Sequence, residues 1–282
     1  MHPFVAGSPH LYTPGVIPAN LPVGRHRVAH GSCLSQFGQG VCLTGGICHG
    51  DRRLPVVGFQ LREVDAIVRH DFQTDGYFNR QQQLRVLRQG VAGGVFNQAL
   101  SAEQREVLEY LRGDRKGVLH EAAVGDRAVR TFYCFHGCRA EFVDDICAGG
   151  LVNLAGERDR GYIGAGVYTT LNAEYAARYA SGEFGGAWIG RGTLFPVIMF
   201  AACVGTAYPI TRARDYTGVR ADGHSDRYGQ PLIGGFDCHM ACVSEANAFE
   251  SVHHVAQTDY VEVVFDQQHQ IVPVAVLWFE RT

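Results

Sequence analysis

The spacing of hydrophobic and polar positions divides the 282-residue chain into three regions. Residues 1–54 carry many glycines and prolines with little periodicity, which predicts a loop-rich N-terminal arm. Residues 55–130 place apolar positions at helical spacing, whereas residues 131–282 contain short β-rich runs joined by long connections. The pattern predicts an arm, a mostly helical segment and a domain built on strands.

The helical spacing of the second region rests on three stretches. Apolar residues three and four positions apart share one face of a helix, and a Ser followed three residues later by Gln is typical of a capping box. These signals are carried by Val64, Ile67 and Val68, by Leu84 and Leu87, and by Ser101 with Gln104.

Four runs in the third region have the β-branched and aromatic composition of strands. They cover residues 131–135, 193–204, 261–266 and 271–279. Long connections separate them instead of regularly alternating helices, which argues against a doubly wound sheet. The sequence therefore predicts an α+β fold.

Composition and hydropathy argue against several classes of protein. The chain is 46% hydrophobic with a formal net charge of −3, so it can bury a core and lacks the basic footprint of a nucleic-acid-binding domain. No apolar run approaches the ~18 residues of a membrane span, and the N-terminus lacks a secretory signal pattern. We expect a cytoplasmic or nuclear protein, or one delivered to a host cytosol, with no membrane partner.

Nine cysteines, an odd number in a chain of this length, favour reduced thiols over a disulfide framework. Cys33, Cys42, Cys48 and His49 form the one cluster that could bind zinc, but it contains no Cys-x-x-Cys knuckle. No metal site is predicted.

Candidate chemistry lies in three short motifs. The first is Phe135-His136-Gly137-Cys138, at the end of an apolar run. The second is Gly164-Ala165-Gly166-Val167-Tyr168, and the third is Glu262-Val263-Val264-Phe265. The second motif lacks the third glycine of the dinucleotide-binding fingerprint. Each motif is a weak signal alone, and their order and spacing make them informative.

Together the motifs resemble the catalytic domain of the poly(ADP-ribose) polymerases and the diphtheria-toxin-like ADP-ribosyltransferases, over about residues 132–280. The signature of that family is a His-Tyr-Glu triad on a split antiparallel β-sheet, so the resemblance implies this fold for residues 131–282. Tyr168 follows His136 by 32 residues, which is within the family range. A short helix and a glycine follow the His in the family, and residues 140–150 have that form.

The acid of the triad depends on which of two alignments is taken. Counting back from Phe265 puts Val261 at the acid position, whereas counting back from Gln270 puts Glu262 there. The second alignment supplies the carboxylate and needs only a one-residue bulge or a longer turn. Glu262 is therefore the predicted catalytic acid, with His136 and Tyr168 as the other catalytic residues.

The resemblance also implies how NAD would be bound. His136 would bind a ribose hydroxyl on the adenosine side, and the backbone of Gly137 would bind the nicotinamide carboxamide, because glycine lets the backbone approach a ligand closely. Tyr168 would pack on one face of the nicotinamide. Tyr179 would pack on the other face, with Tyr175 as the alternative.

One position departs from the family pattern. The helix that carries Tyr179 has a Ser in most members, and that Ser bonds the carboxamide, whereas this chain has Ala176. The loss of one hydrogen bond would weaken NAD binding by about 0.5–1.5 kcal/mol.

The expected function is NAD-dependent transfer of single or multiple ADP-ribose units, with NAD as co-substrate and no metal. A protein acceptor is expected, and a nucleic-acid acceptor is left open. Two alternatives use the same scaffold: an NAD glycohydrolase, in which water replaces the acceptor, and a module that binds NAD or ADP-ribose without catalysis.

Overall fold

The computed structural model describes residues 24–28, 58–68, 72–88, 101–112, 129–153, 160–184, 188–217, 225–243 and 260–282. The candidate zinc residues Cys33, Cys42, Cys48 and His49 lie outside the described residues, as does most of the predicted N-terminal arm.

Nine strands of the described residues form one mixed sheet. The strands are β1 Gly24–Val28, β2 Phe59–Val68, β3 Arg130–Gly137, β4 Val167–Thr170, β5 Leu194–Val204, β6 Ala207–Pro209, β7 Cys238–Val243, β8 Tyr260–Phe265 and β9 Ile271–Arg281. Their order across the sheet is β1-β2-β9-β5-β3-β4-β8-β7-β6. β6 and β7 are parallel, and the other neighbours are antiparallel.

Five helices and two 3-10 turns complete the described part of the chain, giving the predicted α+β class. The helices are α1 Phe72–Arg88, α2 Ala102–Arg112, α3 Val143–Gly149, α4 Ala173–Ala180 and α5 Arg212–Asp215, and the turns are Ala140–Phe142 and Gln268–Gln270. Not one of the described helices has the length and apolar character that crossing a membrane requires.

Helices cover both faces of the sheet. One face carries α1 and α4, whose Leu84 and Ala177 belong to the same core cluster as Phe195 of β5. The opposite face carries α2, whose Val107 packs in one cluster with Phe200 of β5. α3 packs on this second face against β2 and β9. Because successive side chains of a strand point to opposite faces, the long strand β5 contributes to both cores.

The sheet opens between β3 and β4. These strands share one paired position, Phe135 with Thr170. β3 is otherwise paired along its length with β5, and all four residues of β4 pair with β8. The sheet therefore consists of two parts, β1-β2-β9-β5-β3 and β4-β8-β7-β6, which are joined at a single point.

The helical prediction for Val64, Ile67 and Val68 is wrong, because all three residues lie in strand β2. Val64, Ala66 and Ile67 are buried together with Asp65. A strand covered on both faces reads as a continuous apolar run, and its positions can match helical spacing by coincidence. A mostly helical second region is therefore not supported.

The remaining predictions for residues 1–130 are confirmed in α1 but miss a strand in the N-terminal arm. Leu84 and Leu87 lie in α1 as predicted. The loop-rich arm contains a strand that the sequence did not indicate, β1, which pairs with β2. β2 in turn pairs with β9, so residues before 131 belong to the same sheet as the strands that follow. The division of the chain at residue 130 stays a prediction.

The predicted capping box at the start of α2 is confirmed. The backbone nitrogen of Gln104 donates to Oγ of Ser101, and the backbone nitrogen of Ser101 donates to Oε1 of Gln104, both at 3.1 Å. The Gln104 side chain also donates to the carbonyl oxygen of Pro209 in β6 at 3.1 Å, which ties the helix to the edge of the sheet.

Replacing the cap tests this description. We expect Ser101→Ala to lower the free energy of unfolding by about 1 kcal/mol, because the backbone nitrogen of Gln104 loses its acceptor. Urea denaturation measures the change. Glu106→Ala, at an exposed position of the same helix, is the control and should change stability by less than about 0.5 kcal/mol. Equal effects of the two substitutions would contradict a role for the cap.

Candidate functional site

His136 lies at the end of β3, on the face of the sheet that carries α3. Its partner in β5 is Ile198, which packs in the core of that face. Nδ1 of His136 lies 2.9 Å from the carbonyl oxygen of Tyr168, so Nδ1 carries a proton and donates it. Burial lowers the pKa of His136 below its usual value, and the bond to Tyr168 opposes this shift only in part. The ring is therefore neutral at pH 7, with Nε2 as an acceptor.

The side chain of Tyr168 is held by the turn that precedes β4. Its hydroxyl donates to the carbonyl oxygen of Gly164 and accepts from the backbone nitrogen of Ile163, both at 2.8 Å. Gly161 has a φ of +76° and Gly164 a φ of +130°, conformations that favour glycine. The Gly-x-Gly-x-Tyr motif thus folds back onto the hydroxyl of its own tyrosine.

His239 of β7 holds this turn from the neighbouring part of the sheet. Its Nε2 accepts from the backbone nitrogen of Ile233 at 3.0 Å, and its Nδ1 donates to the carbonyl oxygen of Ile163 at 2.7 Å. Only the neutral ring can make both bonds. Burial, with a smaller contribution from Arg227, lowers the pKa of His239 to about 4.

A cleft of about 480 Å³ lies between the end of β3, α3 and the turn before Tyr168. His136 and Tyr168 line it together with Phe142, Asp145 and Cys138. Its volume falls within the range of small-molecule sites, roughly 300–1,000 Å³. Burial raises the pKa of Cys138 to about 12, so its thiol stays protonated and is a poor nucleophile.

Gly137 follows His136 and lies directly beneath α4. A Cβ added at Gly137 would lie 2.0 Å from the carbonyl oxygen of Ala176 and 2.9 Å from the backbone nitrogen of Ala180. Ala173, Ala176, Ala177 and Ala180 are all buried. The helix approaches the sheet closely because both sides of the contact lack bulky side chains.

Glu262 lies in β8 on the face that carries α4. It is opposite Thr170 of β4, is 8% exposed, and accepts a hydrogen bond from the hydroxyl of Tyr175 at 2.7 Å. The Tyr175 hydroxyl also lies 3.4 Å from that of Tyr179. Tyr175 is 1% exposed whereas Tyr179 is 42% exposed, so this cluster runs from a buried carboxylate to the surface.

Polar contacts anchor the start of α4 to β8. Asn172 immediately precedes the helix, and its Oδ1 accepts from the backbone nitrogen of Val261 at 2.9 Å. Oγ1 of Thr170 donates to the carbonyl oxygen of Val261 at 2.7 Å and accepts from the backbone nitrogen of Asn172 at 3.1 Å. These bonds fix the helix over the strand that holds Glu262.

The two candidate acid positions point in different directions. Val261 packs in the core on the α2 face, whereas the side chain of Glu262 lies beneath α4. The alternative alignment would therefore put an apolar core residue at the acid position.

The predicted residues fall into two groups. His136 and Tyr168 line the cleft beside α3, and Gly137, Tyr175, Ala176, Tyr179 and Glu262 gather at α4. Tyr168 pairs with Val264, two residues from Glu262, so its side chain projects to the same face of β4 and β8 as Glu262. None of the second group lines the cleft. Each group therefore has members on both sides of the opening between β3 and β4.

Sequence reasoning missed two features of the site. The bond from Tyr175 to Glu262 joins residues 87 positions apart, and only the i,i+4 spacing of Tyr175 and Tyr179 indicated that both rings share one helix face. Asp145, which lines the cleft, lies within the helix predicted after His136 and carried no signal of its own.

Comparison with known proteins gives likeness in structure but no match in sequence. No protein-family model and no curated protein matches this chain. A solved structure described as the TASOR pseudo-PARP domain is similar at 14% identity and a TM-score of 0.45, over 80% of this chain and 86% of that one. A likeness at this level carries no argument about activity or family, so the functional proposal rests on the residues themselves.

The contact between Gly137 and α4 is testable. We expect Gly137→Ala to lower the free energy of unfolding by about 1–3 kcal/mol, because the new methyl group meets a helix backbone that cannot rotate away. Chemical denaturation measures this change. Gly190→Ala is the control, since a Cβ at Gly190 meets nothing within 4 Å. If both variants are as stable as the wild type, the close packing of α4 on β3 is wrong.

The neutral state of His239 makes the stability of the fold depend on pH. Because its pKa is lowered from 6.5 to about 4 on folding, the unfolded chain binds more protons between these values. The contribution to stability is complete above pH 6.5 and is lost as the pH falls towards 4, by about 3 kcal/mol in all. NMR titration of the folded protein should give a His239 midpoint near 4. A midpoint near 6.5 would contradict the two hydrogen bonds assigned to the neutral ring.

Proposed function

We propose that this chain is an NAD-dependent ADP-ribosyltransferase with a PARP-like fold, which moves ADP-ribose from NAD to a macromolecular acceptor and releases nicotinamide. One observation carries the proposal. His136, Tyr168 and Glu262 lie on three adjacent strands, β3, β4 and β8, beside the point where the sheet opens.

The two groups of residues suit the two halves of NAD. The adenosine half would lie in the cleft against α3, where the neutral His136 ring offers Nε2 to a ribose hydroxyl. The nicotinamide half would lie on the α4 face, near Gly137 and Glu262.

Exposure favours Tyr179 over Tyr175 as the ring that packs on nicotinamide. Tyr179 is 42% exposed, whereas Tyr175 is buried and its hydroxyl is bonded to Glu262. Tyr168 would supply the opposite ring. Ala176 offers no hydroxyl to the carboxamide, and binding of that group would then rest on the Gly137 backbone.

Glu262 is the group suited to the chemical step. When the bond between nicotinamide and the ribose C1′ breaks, its electron pair leaves with nicotinamide, and positive charge develops on the ribose. The Glu262 carboxylate would stabilise that charge. It would also accept the proton of the acceptor hydroxyl as the oxygen forms the new bond to C1′.

A second function is favoured by the state of Glu262 in this structure. The carboxylate is 8% exposed, is bonded by Tyr175, and does not line the cleft. A chain that binds NAD or ADP-ribose in the cleft without breaking NAD would show the same features. Hydrolysis of NAD by water is a third outcome, and the same experiment separates it.

The test is to incubate the purified chain with NAD labelled in the adenylate and to follow nicotinamide release and labelled macromolecules in parallel. Transferase activity gives both signals. Nicotinamide release without macromolecular label indicates hydrolysis. Saturable NAD binding by calorimetry with neither signal indicates the binding module and contradicts the proposed transferase.

Glu262→Gln tests the catalytic acid. The amide oxygen of Gln can still accept the Tyr175 hydroxyl, so the fold should persist, but the negative charge is lost. We expect nicotinamide release to fall about 100-fold or more, with NAD binding retained. Glu174→Gln is the matched control, because Glu174 also accepts a hydrogen bond from a tyrosine, Tyr260, at 3.1 Å. Equal activity of the Glu262 variant and wild type would contradict the assignment.

A further inference from the structure

The buried phenol of Tyr175 is directed at the carboxylate that the proposed reaction requires. Its hydroxyl lies 2.7 Å from Oε1 of Glu262. Burial, and then the charge of Glu262, raise the pKa of Tyr175 well above its usual value. The phenol therefore remains a hydrogen-bond donor throughout the neutral pH range.

Aromatic packing holds the Tyr175 ring in one orientation. The ring stacks on Tyr260 with a centroid separation of 4.8 Å and an interplanar angle of 20°. The ring centroids of Phe184 and Tyr179 lie 5.4 Å and 5.2 Å from the centroid of Tyr175. Tyr260 precedes Glu262 by two residues in β8, so both side chains point to the same face. A ring stacked on Tyr260 is thereby fixed above Glu262.

The same ring links the carboxylate to the surface. The hydroxyls of Tyr175 and Tyr179 are 3.4 Å apart, and their rings meet edge to face at an interplanar angle of 88°. A ligand that moves the exposed Tyr179 ring would act directly on the donor that holds Glu262.

We infer that Tyr175 is a positioning residue, which orients the Glu262 carboxylate for the transfer step and couples that orientation to the Tyr179 ring. The inference rests on the proposed function. Packing alone needs only the ring of Tyr175, whereas positioning needs its hydroxyl. Removing the hydroxyl while keeping the ring therefore separates the two roles.

Tyr208 provides a matched comparison within the chain. It is also a buried tyrosine whose hydroxyl donates to a buried carboxylate, Asp215, at 3.0 Å. Asp215 also accepts from the backbone nitrogen of Thr211 and pairs with Arg227. The two tyrosines lose the same kind of hydrogen bond on substitution by Phe, but only one of them contacts the proposed catalytic acid.

The experiment compares Tyr175→Phe and Tyr208→Phe with the wild-type chain. We expect Tyr175→Phe to lower kcat for nicotinamide release about 10- to 100-fold, because a misplaced catalytic group loses reactivity steeply with distance. Its KM for NAD should stay within about threefold of the wild-type value, since its ring remains in place. Tyr208→Phe should leave kcat unchanged. The unfolding temperature should fall by a similar amount in both variants.

Failure of this inference is distinct from failure of the proposed function. If the wild-type chain is active and Tyr175→Phe has the same kcat, the inference alone is overturned. The inference is also overturned if Tyr208→Phe loses as much kcat as Tyr175→Phe. A rise in KM without loss of kcat also overturns it, because the hydroxyl would then serve binding instead of positioning. A wild-type chain that releases no nicotinamide contradicts the proposed function, and this inference with it.

Discussion

The single paired position between β3 and β4 is the constraint on which the arrangement of the site depends. Strands that separate leave backbone groups without ladder partners, and such groups need other hydrogen bonds when water is excluded. His136 supplies one of them by donating to the carbonyl oxygen of Tyr168. His136, a residue of the candidate site, thus also forms a hydrogen bond between the two parts of the sheet.

The second constraint is the short distance between α4 and the sheet. Buried alanines and Gly137 allow the helix backbone to contact β3 directly, and Asn172 bonds the start of the helix to β8. The helix therefore touches both parts of the sheet on either side of the opening. Backbone contacts, more than flexible side chains, therefore set the position of the helix relative to Glu262. Such contacts tolerate little variation.

Sequence reasoning succeeded where a local pattern determines a local structure. The four strand predictions match the structure to within two residues at each boundary, and the helices that the resemblance implies after His136 and Tyr168 are present. The capping box at Ser101 was predicted because its hydrogen bonds span three residues. β2 was misread because residues 64–67 are all buried, so this part of the strand lacks the alternation that marks a strand. The bond from Tyr175 to Glu262 could not be predicted, since it depends on how α4 lies over β8.

The pairing of β2 with β9 has a consequence for how the chain can be divided. A fragment beginning at residue 131, where the sequence suggested a boundary, would lack β1 and β2. β9 would then become an edge strand with a long row of unpaired backbone groups and the apolar residues Val276 and Leu277 at its centre. Exposed edges of this kind pair with other chains and aggregate. Strand β2, which is itself paired with β1, therefore protects this edge of β9 from self-association.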